Sequence, residues 1–204
     1  MSVETERSVA RHVAVPANRY LLFFGLAVGG CAVDLLTKHW AFAALGMPNE
    51  RPSYWLIDEV FGFTTSLNEG ALFGIGQGQG ALFSTLSLVA AAGIVYWLFV
   101  TRAAADLLLT AALGAVTAGI FGNLFDRLGL PGLSWGQATG HEAGERVYAV
   151  RDWLHFKFEP VIDWPIFNIA DSLLVCGAAL LILHAMRGEK ITTSAAARPS
   201  AGND

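Results

Sequence analysis

The sequence predicts an all-α membrane protein in which four transmembrane helices carry a small, outward-facing loop region with some β-structure. Of its 204 residues, 54% are hydrophobic and only 15% are charged, and the mean hydropathy is positive. This composition is unlike that of soluble or disordered domains. Four long apolar runs, separated by two sizeable loops on one side, complete the prediction. The 13 Lys and Arg against 17 Asp and Glu leave no basic excess, so nucleic acid is not expected as a partner.

The helices are predicted from runs of about 20 mostly apolar residues, the length needed to cross a bilayer. The first run is too short if it stops before Asp34, so the span is expected to include Asp34 and Lys38. The second is free of charge, the third ends at Asp126, and the fourth holds Asp171 near its start. The predicted spans are about 20–45, 81–100, 104–125 and 166–186.

Basic residues set the predicted orientation, because the cytoplasmic segments of membrane proteins are enriched in Lys and Arg. Segments 1–19 and 187–204, with the short link near Arg102, hold more Lys and Arg than the longer loops 46–80 and 127–165. Both termini are therefore predicted to be cytoplasmic and both long loops to be outside. The tail 187–204 is rich in small and polar residues and is predicted to be disordered, as is the start of the chain.

The first outer loop contains two runs of β-branched and aromatic residues, 54–57 and 60–67, separated by acidic residues. Such runs are typical of short strands. A small sheet on the outer surface of the membrane is therefore predicted.

Polar residues gather toward the outer ends of the spans, where ionisable groups are costly and commonly mark pathways or catalytic sites. Structural explanations exist as well. Asp34 and Lys38 have the i, i+4 spacing of a helical ion pair, and Asp126 can end a span at the headgroups. Asp171 suits a helix N-terminus, and Asp152 alone resembles a solvated loop charge. The gathered residues are Asp34, Lys38, Asn68, Asn123, Asp126, Arg127, Asp152, Asn168 and Asp171.

Other chemistries have little support in the sequence. The five histidines are scattered without metal-ligand spacing, so neither a metal nor another cofactor is predicted. A glycine-rich run at 74–81 leads into a span rather than a βαβ unit, which argues against dinucleotide binding. Carboxylates remain by elimination. They suit either an enzyme whose chemistry lies at one face of the membrane or a small transporter or scaffold. A transporter would need polar groups that reach the inner face, and the inner halves of the spans contain few of them besides Asp106 and His184.

Five blocks resemble, in order along the chain, the motifs of the lipoprotein signal peptidase family, the signal peptidase II intramembrane aspartyl proteases of bacteria. Each block alone is weak, whereas five in order on a four-span scaffold are specific. The resemblance covers about residues 20–186. The blocks are 34–38 for D-x-x-T-K, 68–73 for N-x-G-A-x-F, 122–127 for G-N-x-x-D-R, 150–153 for V-x-D-[FW] and 167–172 for F-N-x-A-D-[ST].

The resemblance implies an endopeptidase that removes the signal peptide from prolipoproteins, cutting just before a cysteine that carries diacylglycerol. Asp152 and Asp171 would be its catalytic pair, without a metal or other cofactor. The enzyme would be a monomer among the lipids of the bacterial inner membrane, with its active site near the outer face. Supporting or substrate-binding positions would be Asp34, Lys38, Asn68, Gly70, Asn123, Asp126, Arg127 and Asn168.

One departure from the family concerns the second outer loop. The stretch between Arg127 and Asp152 is longer than is usual, and residues 129–147 look inserted. Asp163 lies close to the last block and is therefore an alternative to Asp152. The context after Val150 and the spacing favour Asp152.

Overall fold

The computed structural model describes residues 14–70, 76–136 and 140–196, with side chains up to residue 187. These residues form four long helices and one antiparallel sheet, which confirms the predicted fold class. A π-helical segment, Tyr96–Val100, extends the second helix, and a short 3₁₀ turn, Ala103–Ala105, precedes the third. In chain order the elements are α1 (Ala17–Leu45), β1 (Tyr54–Ile57), β2 (Phe61–Asn68), α2 (Gly80–Val95), α3 (Leu107–Arg127), β3 (Val150–Phe158), β4 (Ile162–Phe167) and α4 (Ile169–Ala196).

The four spans agree with the predicted ones apart from their ends. The helices that are long and apolar enough to cross a membrane are Ala17–Leu45, Gly80–Val100, Leu107–Arg127 and Ile169–Arg187. The fourth begins at Ile169 rather than at 166, because the preceding residues belong to β4. Helix α4 then continues to Ala196, so the part of the tail up to that residue is helical rather than disordered. Residues 1–13 and 197–204 lie outside the described part of the chain.

Helix α3 is the centre of the bundle. Its most apolar stretch is 72% buried, against 17% in each of the other three helices, whose outer faces are left for lipid. Small residues bring α3 and α4 together, as is common between membrane helices. A Cβ atom on Gly119 would lie 2.5 Å from the carbonyl oxygen of Ala170, and one on Gly177 would lie 2.5 Å from Cγ2 of Val116.

The sheet has the order β1-β2-β3-β4, and all its neighbours are antiparallel. The two strands predicted in the first outer loop are confirmed, whereas β3 and β4 come from the second outer loop and were not predicted. Trp153 of β3 packs on Trp40 of α1, with ring centroids 5.8 Å apart, and thereby seats the sheet on the bundle. One residue separates β4 from α4, so the sheet ends at the start of a membrane helix.

The inserted stretch folds back on itself beside the sheet. Ser134 pairs with Arg146, and the backbone N–H of Trp135 donates to the Glu145 carbonyl at 2.7 Å. The N–H of Val147 donates to the Leu133 carbonyl at 2.9 Å. We refer to residues 133–136 and 140–147 as the outer hairpin; residues 137–139 lie outside the described part of the chain.

Candidate active site

Helix α4 begins with a reciprocal cap between Asn168 and Asp171. The side-chain Oδ1 of Asn168 accepts a hydrogen bond from the backbone N–H of Asp171 at 2.9 Å, and the Asp171 carboxylate accepts one from the N–H of Asn168 at 3.3 Å. This is the geometry of a capping box, with Asp at its third helical position. The three-residue spacing therefore starts the helix and holds the Asp171 carboxylate at its positive end.

Asp152 reaches the same asparagine from the sheet. It lies on β3, is only 2% exposed, and accepts a hydrogen bond through Oδ1 from Nδ2 of Asn168 at 2.6 Å. Burial and the nearby charge of Asp171 raise the pKa of Asp152 to about 8, although Lys38 and hydrogen bonds from Asn168 and Asn68 oppose the rise. Asp152 is therefore mainly protonated at neutral pH.

Asn123 of α3 connects the two carboxylates to the interior of the bundle. Its Nδ2 donates to Oδ1 of Asp171 at 2.8 Å. Its Oδ1 accepts from Nδ2 of Asn168 at 3.1 Å and from Nζ of Lys38 at 2.9 Å. The side-chain oxygen of Asn123 thus faces two donors and its NH₂ group faces a carboxylate, which fixes the orientation of the amide. Residues predicted from three separate sequence blocks meet here.

A buried charge cluster lies beneath this network. Nζ of Lys38 is 2.7 Å from the Asp34 carboxylate, as their spacing predicts, and 3.1 Å from that of Asp126. Asp126 also binds Arg151, with Nη2 and Oδ1 2.8 Å apart. Asp126 is fully buried at the end of α3, so its carboxylate faces Lys38 and Arg151 inside the protein rather than the surroundings. Two acidic and two basic side chains neutralise one another, which makes their burial tolerable.

The cluster also ties α1 to the start of α4. Oδ1 of Asp34 accepts a hydrogen bond from the backbone N–H of Ala170 at 2.8 Å, which satisfies a donor in the first turn of α4. Gly122 of α3 leaves room for this contact, because a Cβ atom there would collide with the Asp34 carboxylate. Asp34 and Lys38 therefore contact the network from below and border neither of the grooves described below.

Arg151 is absent from the predicted set of site residues. Adjacent residues of a strand point to opposite faces, so Arg151 turns to Asp126 while Asp152 turns to Asn168. The sequence feature that could have identified Arg151 is its position directly before Asp152, in a run that is otherwise apolar or aromatic. Without knowledge that this run forms a strand, the two charges resemble a solvated pair.

Segment 68–70 borders the site at the end of β2. Asn68 is the last residue of the strand, and its Oδ1 accepts from the N–H of Gly70 at 2.9 Å. Nη2 of Arg127 donates to the Gly70 carbonyl at 2.9 Å, and the guanidinium lies 5.6 Å from the ring centroid of Phe83. Arg127 thus holds the backbone of this segment through the Gly70 carbonyl. Residues 71–73 of the same block lie outside the described part of the chain.

Asp163, the alternative to Asp152, lies on β4 away from this network. Its side chain is 62% exposed, and its Oδ1 lies 2.8 Å from Nε2 of His155. Asp163 is thus an exposed residue paired with a histidine, whereas Asp152 is buried beside Asp171.

Two grooves meet at Asn68 and Asp171. The sheet groove, of about 410 Å³, runs between the sheet and α4 and is almost entirely apolar. The helix groove, of about 280 Å³, runs between α2, α3 and α4 and also contains polar side chains. Residues that line the sheet groove include Phe61, Phe156, Trp164, Phe167 and Val175, and those of the helix groove include Phe83, Leu86, Ser87, Asn123, Arg127 and Leu174.

Comparison with known sequences gives matches over most of the chain. A family model described as signal peptidase (SPase) II matches residues 26–187. A lipoprotein signal peptidase of Rhodopirellula baltica is 46% identical over 180 residues, which cover 87% of this chain and 77% of that protein. A lipoprotein signal peptidase of Bacillus pumilus is 34% identical over 172 residues, covering 84% and 97% respectively.

Solved structures resemble the fold as well. A bacterial membrane enzyme determined by the in meso method at 2.3 Å superposes with a TM-score of 0.67 at 24% identity, covering 94% of this chain and 97% of that one. A second bacterial membrane enzyme, determined at 1.9 Å, gives a TM-score of 0.62 at 26% identity, covering 84% and 94%.

Proposed function

We propose Asp152 and Asp171 as the catalytic pair of this chain, which belongs to the signal peptidase II family and removes signal peptides from prolipoproteins. The observation that carries the proposal is the asparagine between them. Asn168 binds Asp152 through its side chain and Asp171 through its backbone N–H. Two carboxyl groups so close together share a proton rather than both ionise.

The surroundings of the two carboxyl groups divide the roles between them. Asp152 is buried, and its pKa of about 8 keeps it protonated at neutral pH, so it is the general acid. Asp171 receives hydrogen bonds from Asn123 and Asn168 and lies at a helix N-terminus, an arrangement that suits a negative charge. Asp171 is therefore the general base.

Hydrolysis then follows as an exchange of protons. Asp171 takes a proton from a water molecule, whose oxygen attacks the scissile carbonyl carbon, while Asp152 gives its proton to the carbonyl oxygen. In the tetrahedral intermediate, Asp171 protonates the leaving nitrogen. Asp152 recovers a proton from one hydroxyl group as the C–N bond breaks. Both carboxyl groups return to their starting states, and no covalent enzyme intermediate forms.

The two grooves suggest how the substrate lies across the pair. The polar groups of the helix groove, Asn123 and Arg127 among them, suit a peptide backbone, and we assign the end of the signal helix to this groove. The apolar sheet groove suits the acyl chains of a diacylglyceryl cysteine. Because burial of acyl chains contributes ~0.8 kcal/mol per CH₂, it can set the scissile bond, just before that cysteine, beside the carboxylates.

Substitution of the aspartates tests the assignment. Asp152→Asn and Asp171→Asn should each abolish cleavage of a diacylglyceryl prolipoprotein by the purified enzyme, while both variants insert into the membrane normally. Asp163→Asn is the matched control and should retain activity, because its side chain lies outside the network. An inactive Asp163→Asn beside an active Asp152→Asn would overturn the pair.

Removal of the substrate lipid tests the placement. The cleavage rate of an unlipidated prolipoprotein should fall more than its affinity, because the signal helix still binds but its register is loosely set. A displacement of about 1 Å at the reacting atoms can cost on the order of a hundredfold in rate. Equal rates for the two substrates would show that the acyl chains do not position the bond.

The protein is a multi-pass bacterial membrane protein, and we infer that both its termini are cytoplasmic and its active site faces outward. The distribution of Lys and Arg supports this orientation. After replacement of the native Cys31 and Cys176, a cysteine at Gly140 should react with a membrane-impermeant maleimide in intact cells. One at Ala196 should not. The opposite labelling would place the carboxylates in the cytoplasm and refute the orientation.

We propose that the enzyme acts as a monomer among membrane lipids. The family favours peptidase activity over the transporter or scaffold alternative. Two neighbouring carboxyl groups at one end of the bundle, with Asp152 buried and Asp171 half-buried, also fit chemistry on one side of the membrane better than a relay across it.

A further inference from the structure

The outer hairpin holds a histidine in a defined orientation. The ring of His141 stacks on that of Trp135, with centroids 4.0 Å apart and an interplanar angle of 3°. Its Nδ1 lies 3.3 Å from the carboxylate of Glu145 on the same hairpin, and its Nε2 lies 3.3 Å from the carboxylate of Glu69. Stacking and Glu145 thus orient the ring, and the free edge of the imidazole meets Glu69.

Glu69 is the middle residue of segment 68–70, which borders the proposed catalytic pair. Its neighbour Asn68 lines both grooves and forms a hydrogen bond with Asp152. The backbone of the segment is held by Arg127 at the Gly70 carbonyl and by Gln77 at the N–H of Glu69. The contact with His141 holds the segment through a side chain as well.

We propose that His141 is a positioning residue for peptide cleavage, through which the inserted outer hairpin fixes segment 68–70, and with it Asn68, beside Asp152. The proposal rests on the proposed function, because it assigns a role to a residue next to that catalytic pair. His141 itself borders neither groove. It therefore acts through Glu69 and Asn68 rather than on the substrate.

The contact is suited to this role because little freedom is lost in making it. The imidazole is already stacked and paired within the hairpin, so only the Glu69 side chain has to be ordered. The side chains of His141 and Glu69 are 20% and 32% exposed, so the pair is partly shielded from water. Loss of this contact should therefore lower the cleavage rate moderately without unfolding the protein.

A double-mutant cycle tests the proposal. His141→Phe keeps an aromatic ring on Trp135 but removes both nitrogens, and Glu69→Gln removes the carboxylate. Each should lower kcat about fivefold with little change in KM, the scale of a partly exposed polar contact. The double variant should be no worse than either single one, because both remove the same contact. His141→Arg, whose planar cation can stack and bind Glu69, should recover at least half of the lost activity.

His184→Phe is the matched control, because this histidine pairs with Asp106 at the other end of the bundle and should leave kcat unchanged. Wild-type kcat in His141→Phe, or additive losses in the double variant, would overturn the positioning role. If His141→Phe is poorly folded, the Glu69→Gln variant decides, since wild-type kcat there also overturns the proposal. An active Asp152→Asn variant would instead refute the proposed function.

Discussion

Asp152→Asn should make the protein inactive and, with rising pH, more stable than the wild type. The folded protein holds the pKa of Asp152 at about 8, against 3.8 for the unperturbed carboxyl group. A raised pKa means that the folded state binds the proton more tightly than the unfolded state does. The stability that this proton binding contributes is complete below about pH 3.8 and is lost progressively as the pH rises to about 8.

The size of the loss follows from the two pKa values. Holding the proton on Asp152 at pH 7, where the unfolded carboxyl group is ionised, costs roughly 4 kcal/mol, and the cost levels off at roughly 6 kcal/mol above pH 8. An asparagine needs no proton, and its Oδ1 can still accept the hydrogen bond from Asn168. The variant should therefore gain stability relative to the wild type from pH 5 to pH 8, with no further gain above that.

Thermal unfolding in detergent at pH 5, 7 and 9, followed by tryptophan fluorescence, measures the effect. At roughly 2–4 °C per kcal/mol, the difference in Tm between variant and wild type should reach many degrees at pH 9 and be small at pH 5. Asp163→Asn is the control, since its exposed carboxylate should give no such pH-dependent gain. A difference in Tm that stays constant with pH, or a variant that is less stable at pH 9, would refute the description of Asp152 as a buried neutral acid.

Three further predictions concern the pH profile and the packing beneath the carboxylates. The kcat/KM for cleavage should fall about tenfold per pH unit above pH 8 as Asp152 loses its proton, and a flat profile to pH 10 would exclude it as the general acid. Lys38→Met should lower the free energy of unfolding by about 3–5 kcal/mol, because two buried carboxylates lose their shared cation; an unchanged Tm would contradict this. Gly122→Ala should cost about 1–3 kcal/mol through its collision with Asp34 and should lower activity, whereas Gly25→Ala meets open space and should match the wild type in both measurements.

The bundle was predictable from the sequence because each span is a long run of apolar residues, a signal that needs no knowledge of neighbouring elements. The ends of the spans were less predictable. Ile166 and Phe167 are apolar enough to join the fourth span, but they complete an edge strand that also accommodates Pro165. The first-turn cap of Asn168 starts the helix only after this strand ends.

The site was predictable in part. Asp34 and Lys38 show their partnership in their spacing, and Asn168 and Asp171 show theirs. Asp152 is different, because it stands in a loop rich in carboxylates, and its burial depends on strand pairing between segments far apart in the chain. Asp152 was identified from its resemblance to a family motif, because the periodicity of the sequence does not show that it is buried. Arg151 has neither a partner at helical spacing nor a defined position in the family motif, since its partner Asp126 lies 25 residues away on another element.

The short passage from β4 through Asn168 into α4 has a consequence for how the enzyme comes to exist in the cell. Asp171 is carried by a helix that completes its hydrogen bonds within its own segment, whereas Asp152 is carried by a strand that must pair with β2 and β4. A newly inserted chain with its helices in place but its sheet not yet docked holds only half of the proposed catalytic pair. Proteolytic competence would then depend on the docking of the sheet as well as on the insertion of the helices.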